Sequence, residues 1–103
     1  MIKKSVPEKA QIVSAAIDGR IMHSDKRAEA ILLTLQPGEE IPMHKNPFDV
    51  LFAGIEGHAT LVSHAQTETV GPGETIFVTS DEERAWINNE KEPARVMVFK
   101  ILQ

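Results

Sequence analysis

Gly71-Pro72-Gly73-Glu74-Thr75-Ile76-Phe77-Val78-Thr79 is the stretch on which the fold turns. Two signals meet in it. Glycine accepts positive φ and proline fixes its own, so residues 71–73 read as a tight turn. Residues 75–79 are β-branched or aromatic, and that short run predicts a strand. The same pairing repeats outward in both directions. Turn signals at Asp18-Gly19, Pro37-Gly38, Asn46-Pro47, Gly54 and Gly57, Asn88-Asn89 and Glu92-Pro93 separate short apolar runs. Those runs cover residues 28–35, 48–55, 59–62, 86–87 and 96–102. Many short strands between frequent turns predict an all-β sandwich or barrel. Residues 7–17 are ambiguous, since Pro7 is followed by good helix formers. A short helix competes there with a strand from Gln11 to Ala16, and we read the strand. There are no internal repeats, low-complexity tracts or linkers.

The chain has 103 residues, enough for one domain and no second. It is 42 % hydrophobic, too apolar for disorder. Without cysteine it has no disulfides, thiolate metal ligands or cysteine nucleophile. The net charge of −4 argues against nucleic acid or an anionic membrane as partner, since both need a basic face. Met1-Ile2-Lys3-Lys4-Ser5-Val6-Pro7-Glu8-Lys9 starts with the charge of a signal peptide but lacks the apolar run that must follow. No stretch approaches the ~20 apolar residues needed to span a bilayer. The expectation is a cytoplasmic protein with no membrane partner.

From Pro37 to Asn88 the chain resembles the cupin family, small β-barrels of jelly-roll type. Cupins carry the motifs G-x5-H-x-H-x3,4-E-x6-G and G-x5-P-x-G-x2-H-x3-N. Gly38, His44 and Gly57 fall in register with the first, and Gly73 and Asn88 with the second. Residues 72–78 look like the turn and strand that open the second motif, and residues 92–98 like the strand that follows it. The resemblance implies a cupin-type double-stranded β-helix as a single domain over residues 1–103. The barrel would cover about residues 28–102, preceded by an N-terminal strand or arm, 1–27. Small cupins often pair through sheet edges and N-terminal strands, so it also implies a homodimer.

In the family the two histidines, the glutamate and the later histidine form a metal site. Here only His44 is retained. Asn46 stands at the second histidine, Val50 at the glutamate and Arg84 at the third histidine, while Thr79 and Asp81 replace the second motif's Pro and Gly. Divalent metals want several imidazole or anionic ligands. Arginine stays protonated and would repel a cation. At ~4 Å and an effective dielectric near 20 that repulsion is ~4 kcal/mol per unit charge, doubled for a divalent ion. No metal cofactor is therefore expected at the usual site. If a metal is bound, shifted ligands are needed: His44, His58 and Asp49.

Side chains alternate faces along a strand. If His44 points into the barrel, so should Asn46, Val50 and Phe52, with Asp49 pointing out. By the same parity Arg84, Trp86 and Asn88 share a face. A buried guanidinium needs acceptors, and its fork suits carboxylate or phosphate. Arg84, His44 and Asn46, against a wall of Val50, Phe52 and Trp86, could thus hold a small anionic ligand. In the competing reading Arg84 reaches the barrel mouth, or pairs with Glu82 or Glu83, and only supports the fold. His44 is the only candidate general base. His23 and His64 read as surface residues and His58 as a hairpin residue. Trp86 and the phenylalanines read as core, Phe77 and Phe99 above all. Three functions follow: a metal-independent small-molecule binder, a metal-dependent enzyme of isomerase or dioxygenase type using shifted ligands, or a dimeric structural or regulatory domain.

Overall fold

The computed structural model describes residues 1–14 and 17–103. Among them are ten strands: β1 Gln11–Ser14, β2 Asp18–Ser24, β3 Ala28–Leu35, β4 Glu40–His44, β5 Asp49–Glu56, β6 Ala59–Ser63, β7 Thr67–Val70, β8 Thr75–Val78, β9 Arg84–Ile87 and β10 Ala94–Ile101. The only helical element among the described residues is a 3-10 turn, Pro7–Lys9. The ambiguous N-terminal segment is therefore a proline-led turn followed by a strand. The last part of the expected strand, Ala15 and Ala16, lies outside the described residues.

The strands form two antiparallel sheets. The larger runs β1-β2-β3-β10-β5-β8 and the smaller β4-β9-β6-β7. Residues 18–24, expected in an N-terminal strand or arm, pair along β3 as an inner strand of the larger sheet. The strands the apolar runs did not announce are β2, β4 and β7. β4 and β7 are sheet edges, which tolerate Pro42 and the polar sequence Thr67-Glu68-Thr69.

The core lies where the inner faces meet. Leu35, Val50, Phe52, Val70, Trp86, Val96 and their neighbours form one buried cluster. Phe77 and Phe99 do not join it: they are 54 % and 39 % exposed. This corrects the expectation from composition. Val78 and Val98, one position away on each strand, take the inward places, so alternation sends both rings outward.

One motif glycine, Gly57, and one glycine of β5, Gly54, meet a close-approach requirement. Gly57 has φ 64°, and a Cβ there would collide with the Pro93 carbonyl. A Cβ on Gly54 would collide with the Gly71 carbonyl, which locks the β5 strand to the turn before β8. Asn88 closes the same end of the barrel. It is fully buried, its Nδ2 donates to the carbonyls of Leu35 and Glu92, and its Oδ1 accepts from the Glu90 amide.

Candidate functional site

A cavity of about 340 Å³ lies between the sheets. The smaller sheet contributes Glu40, Ile41, Pro42 and His44 from β4, and Arg84 and Trp86 from β9; Asn46 follows β4. The larger sheet supplies Ile31, Leu33, Phe52, Val98 and Lys100, with Val13, Ile17 and Gly19 at its N-terminal side. The walls are mostly apolar, and the few polar side chains converge from β4, β9 and β10.

Strand register explains the convergence. His44 lies opposite Arg84, and Ile41 opposite Trp86. The register breaks between Ile41 and His44, so a bulge returns the imidazole to the cavity despite Pro42. Phe52 crosses from the other sheet and meets Trp86 edge-on, with ring centroids 5.1 Å apart. Arg84 stands 5.9 Å over the Phe52 ring. His44, Asn46, Phe52, Arg84 and Trp86, named from the family's motif positions and strand parity, thus line one cavity. Val50 does not. It is buried in the core one level away and is corrected from wall to core.

Arg84 is only 1 % exposed. Its Nη1 donates to the Glu82 backbone carbonyl at 3.2 Å, while its Nε is buried without a partner. No ion pair involves it among the described residues. The expected alternative of pairing with Glu82 or Glu83 is met only by that backbone oxygen; the Glu83 carboxylate faces His64 instead. Burial pushes the Arg84 pKa below its ordinary value. The Trp86 Nε1 is a second buried donor without a partner. Two residues that line this cavity thus each carry a buried N–H without an acceptor.

His44 bonds through Nδ1 to the Pro42 carbonyl at 2.9 Å. A carbonyl only accepts, so Nδ1 carries the proton and in the neutral ring Nε2 keeps its lone pair. Among the described histidines it is the one lining this cavity. His23 is exposed and bonded to Asp25, and His64 is exposed beside Glu83.

The shifted metal set is not brought together. His58 precedes β6, five residues before Ser63, the residue opposite Arg84, or about 17 Å along the strand. Its imidazole lies against Gly71. Asp49 points away from the cavity and accepts from the Ser80 amide at 2.8 Å. No group of three His, Asp or Glu among the described residues could hold a metal ion. At the family's own ligand positions, an amide, an aliphatic side chain and a buried guanidinium accompany one imidazole, a donor set that does not fit a divalent cation.

Sequence reasoning missed Lys100 and the N-terminal contribution. Lys100 shares inward parity with Val98, pairs with Glu29 at 3.4 Å and sits over Phe48. Parity alone could have found it. Val13 and Gly19 enter only because β1 and β2 extend the larger sheet past the cavity. A second cavity, of about 140 Å³, lies on the β6–β8 side of Arg84, with Ser63, Glu68 and Thr79 in its wall.

Comparison with known proteins agrees with this architecture. Auxin-binding protein 4 of Zea mays is 26 % identical over 93 residues, covering 81 % of this chain and 46 % of its own. The chain thus spans about half the length of that curated relative. The polyketide cyclase RemF from Streptomyces resistomycificus superposes with TM-score 0.84 at 20 % identity, covering all of this chain and 81 % of RemF. An RmlC-like cupin from Shewanella frigidimarina NCIMB 400 gives TM-score 0.84 at 11 % identity over 100 % and 93 % of the two chains. At such identities these likenesses show the fold alone, a cupin double-stranded β-helix. The cupin domain model matches residues 31–100, most of the chain from β3 to β10. On that match, and on the barrel that carries it, the chain belongs to the cupin family.

Proposed function

We propose that this protein binds a small organic anion in its barrel, with Arg84 as the anchor and with no metal at the family's usual position. The observation that carries the reading is the pair of unpartnered buried donors, Arg84 Nε and Trp86 Nε1, on two residues that line one cavity. A buried guanidinium without a carboxylate is costly, and an anionic ligand removes that cost. The cavity, about 340 Å³, is at the small end of ligand sites. A carboxylate suits it better than a phosphate dianion, because one buried cation and two single donors match one negative charge and two oxygens. The apolar body of the ligand would lie along Ile31, Leu33 and Val98. His44 Nε2 can accept a hydrogen bond from a ligand N–H or O–H, and it is the group placed to take a proton. The maize relative, named for binding auxin, supports a small organic ligand.

The test uses protein purified without a histidine tag. Elemental mass spectrometry comes first; a stoichiometric transition metal would overturn the metal-free reading. Benzoate and inorganic phosphate are then titrated during thermal denaturation of wild type and Arg84→Met. Benzoate at a hundred times its Kd stabilises by ~2.7 kcal/mol, a rise of more than about 10 °C for a chain this size. That rise is expected in wild type and not in the variant. No rise with either anion, or equal rises in both proteins, refutes the anchor. A rise with phosphate alone keeps the anchor and rejects the carboxylate.

A further inference from the structure

Residues 46–83 contain seven acids and no lysine or arginine. They build β5 to β8 and end in two sheet edges, β7 of the smaller sheet and β8 of the larger. A groove runs between those edges. A cavity of about 140 Å³ at its Arg84 end and one of about 390 Å³ toward Glu74 share Gln66, Glu68 and Ile76 in their walls. The groove's carboxylates are Glu68, Glu74 and Glu82, and Arg84, the cation in its wall among the described residues, is buried with Nη1 on the Glu82 carbonyl. Hydrogen bonds fix which backbone groups line the β8 edge. The Gly54 amide donates to the Glu74 carbonyl, which makes Gly54–Glu74 a bonded pair. Bonded pairs recur at every second residue of an antiparallel ladder. Ile76 and Val78 are therefore engaged with Phe52 and Val50, while the N–H and C=O of Thr75 and Phe77 point away from β5. No other backbone group bonds them among the described residues. Edges are normally blunted by charge, proline or a broken register. β4 has Pro42, β7 has Glu68, and β1 has a register break between Ile12 and Ser14. β8, Thr75-Ile76-Phe77-Val78, has none of these.

We propose that β8 takes up an extended peptide as an added antiparallel strand, and that this peptide alternates apolar and basic side chains. The main chain supplies the attachment, through Thr75 and Phe77, and the side chains supply the choice of partner. Directly opposed residues of an antiparallel pair share a face. Peptide residues paired with Thr75 and Phe77 thus join the outer face of the sheet, beside the exposed Phe77 ring, and are apolar. The residues between them point into the groove, toward Glu68 and Glu82, and are basic. A second copy of this chain does not fit. Two β8 strands pairing about Phe77 would set Glu74 of each copy near the Asp81-Glu82-Glu83 run of the other, and like charges across a strand pair repel. The proposal does not rest on the anion reading, since β8, Glu68 and Glu82 contribute nothing to the larger cavity.

Fluorescence anisotropy with a labelled Val-Lys-Val-Lys-Val-Lys-Val peptide at low ionic strength tests it. Two further peptides carry N-methyl groups, one on its inner valines and one on its lysines. The parent peptide should saturate with a Kd below about 1 mM. Methylating the valines removes the donors that face β8 and should raise Kd at least ~10-fold. Methylating the lysines, whose amides face away from β8, should leave Kd unchanged. On the protein side, Glu68→Gln with Glu82→Gln should raise Kd ~5-fold. Glu90→Gln with Glu92→Gln makes the same change in net charge near Asn88 and should have no effect. All four glutamates are exposed, so both double variants keep the fold, with circular dichroism as the control. No saturation of the parent peptide by ~1 mM overturns the proposal. So do equal losses in the two methylated peptides, which would remove the strand register, and equal weakening in the two double variants, which would reduce the effect to net charge.

Discussion

Replacing Arg84 by methionine should stabilise the protein while abolishing its anion site. The side chain is 1 % exposed and keeps one hydrogen bond, to the Glu82 carbonyl. Glu82 is an exposed residue, so water can take over that carbonyl in the variant. Losing the bond costs about 1 kcal/mol. Losing the contact over the Phe52 ring costs about another 1 kcal/mol. Against this stand the unpartnered Nε, worth about 1–3 kcal/mol, and the desolvation of the guanidinium, several kcal/mol more. Methionine follows the arginine stem and adapts to the same space. The balance is a gain of about 2 kcal/mol. Urea denaturation at pH 7 without ligand measures it. With an m-value near the middle of the range for small proteins, about 2 kcal/mol/M, the midpoint should rise by about 1 M at unchanged m. Urea is the denaturant of choice because guanidinium could compete with the arginine for its acceptors. A variant destabilised by 1 kcal/mol or more would refute the reasoning. Arg84 would then be a fold-supporting residue, and the site would lose its anchor.

Two further outcomes concern the frame around the cavity. Asn88→Ala removes three side-chain hydrogen bonds and strands the Leu35 carbonyl, for a loss of about 2–4 kcal/mol. Thermal denaturation reads it, and a loss under about 1 kcal/mol would show the latch to be dispensable. The β2–β3 turn carries the pH dependence. The bond from His23 and the amides of Arg27 and Ala28 hold the Asp25 pKa down at about 2. A depressed carboxylate contributes above its unfolded value, near 4, and the contribution is lost as pH falls from there through about 2. The Tm difference between wild type and Asp25→Asn should therefore hold from neutral pH to about 4 and close by pH 2. A difference that stays constant to pH 2 would remove the carboxylate charge as its cause.

Much of the strand order was legible because the inner strands other than β2 are short apolar runs bracketed by residues that turn the chain, whereas β2 reads Asp18-Gly19-Arg20-Ile21-Met22-His23-Ser24 and gives no such signal. The run over residues 28–35 became β3 with the same bounds. β4 and β7 were not legible, since an edge strand hydrogen-bonds on one side and needs few apolar residues. The misplacement of Phe77 and Phe99 came from weighing residue type over parity. Their neighbours Val78 and Val98 already claimed the inward places. In the site, His44, Asn46 and Arg84 came from the family's motif positions, and counting in twos along a strand from them reached Phe52 and Trp86, as it would have reached Lys100 from Val98, though it also reached Val50, which lies in the core.

The sequence by itself pointed to the family, to most of the strands and to the residues that stand at the family's ligand positions, because these depend on residue type and on spacing along the chain. Only the tertiary structure decided what surrounds Arg84. Whether a guanidinium meets a carboxylate is a matter of which strands face each other across the barrel, and Glu82 and Glu83, two positions away or less, turned out to offer a backbone oxygen and no charge.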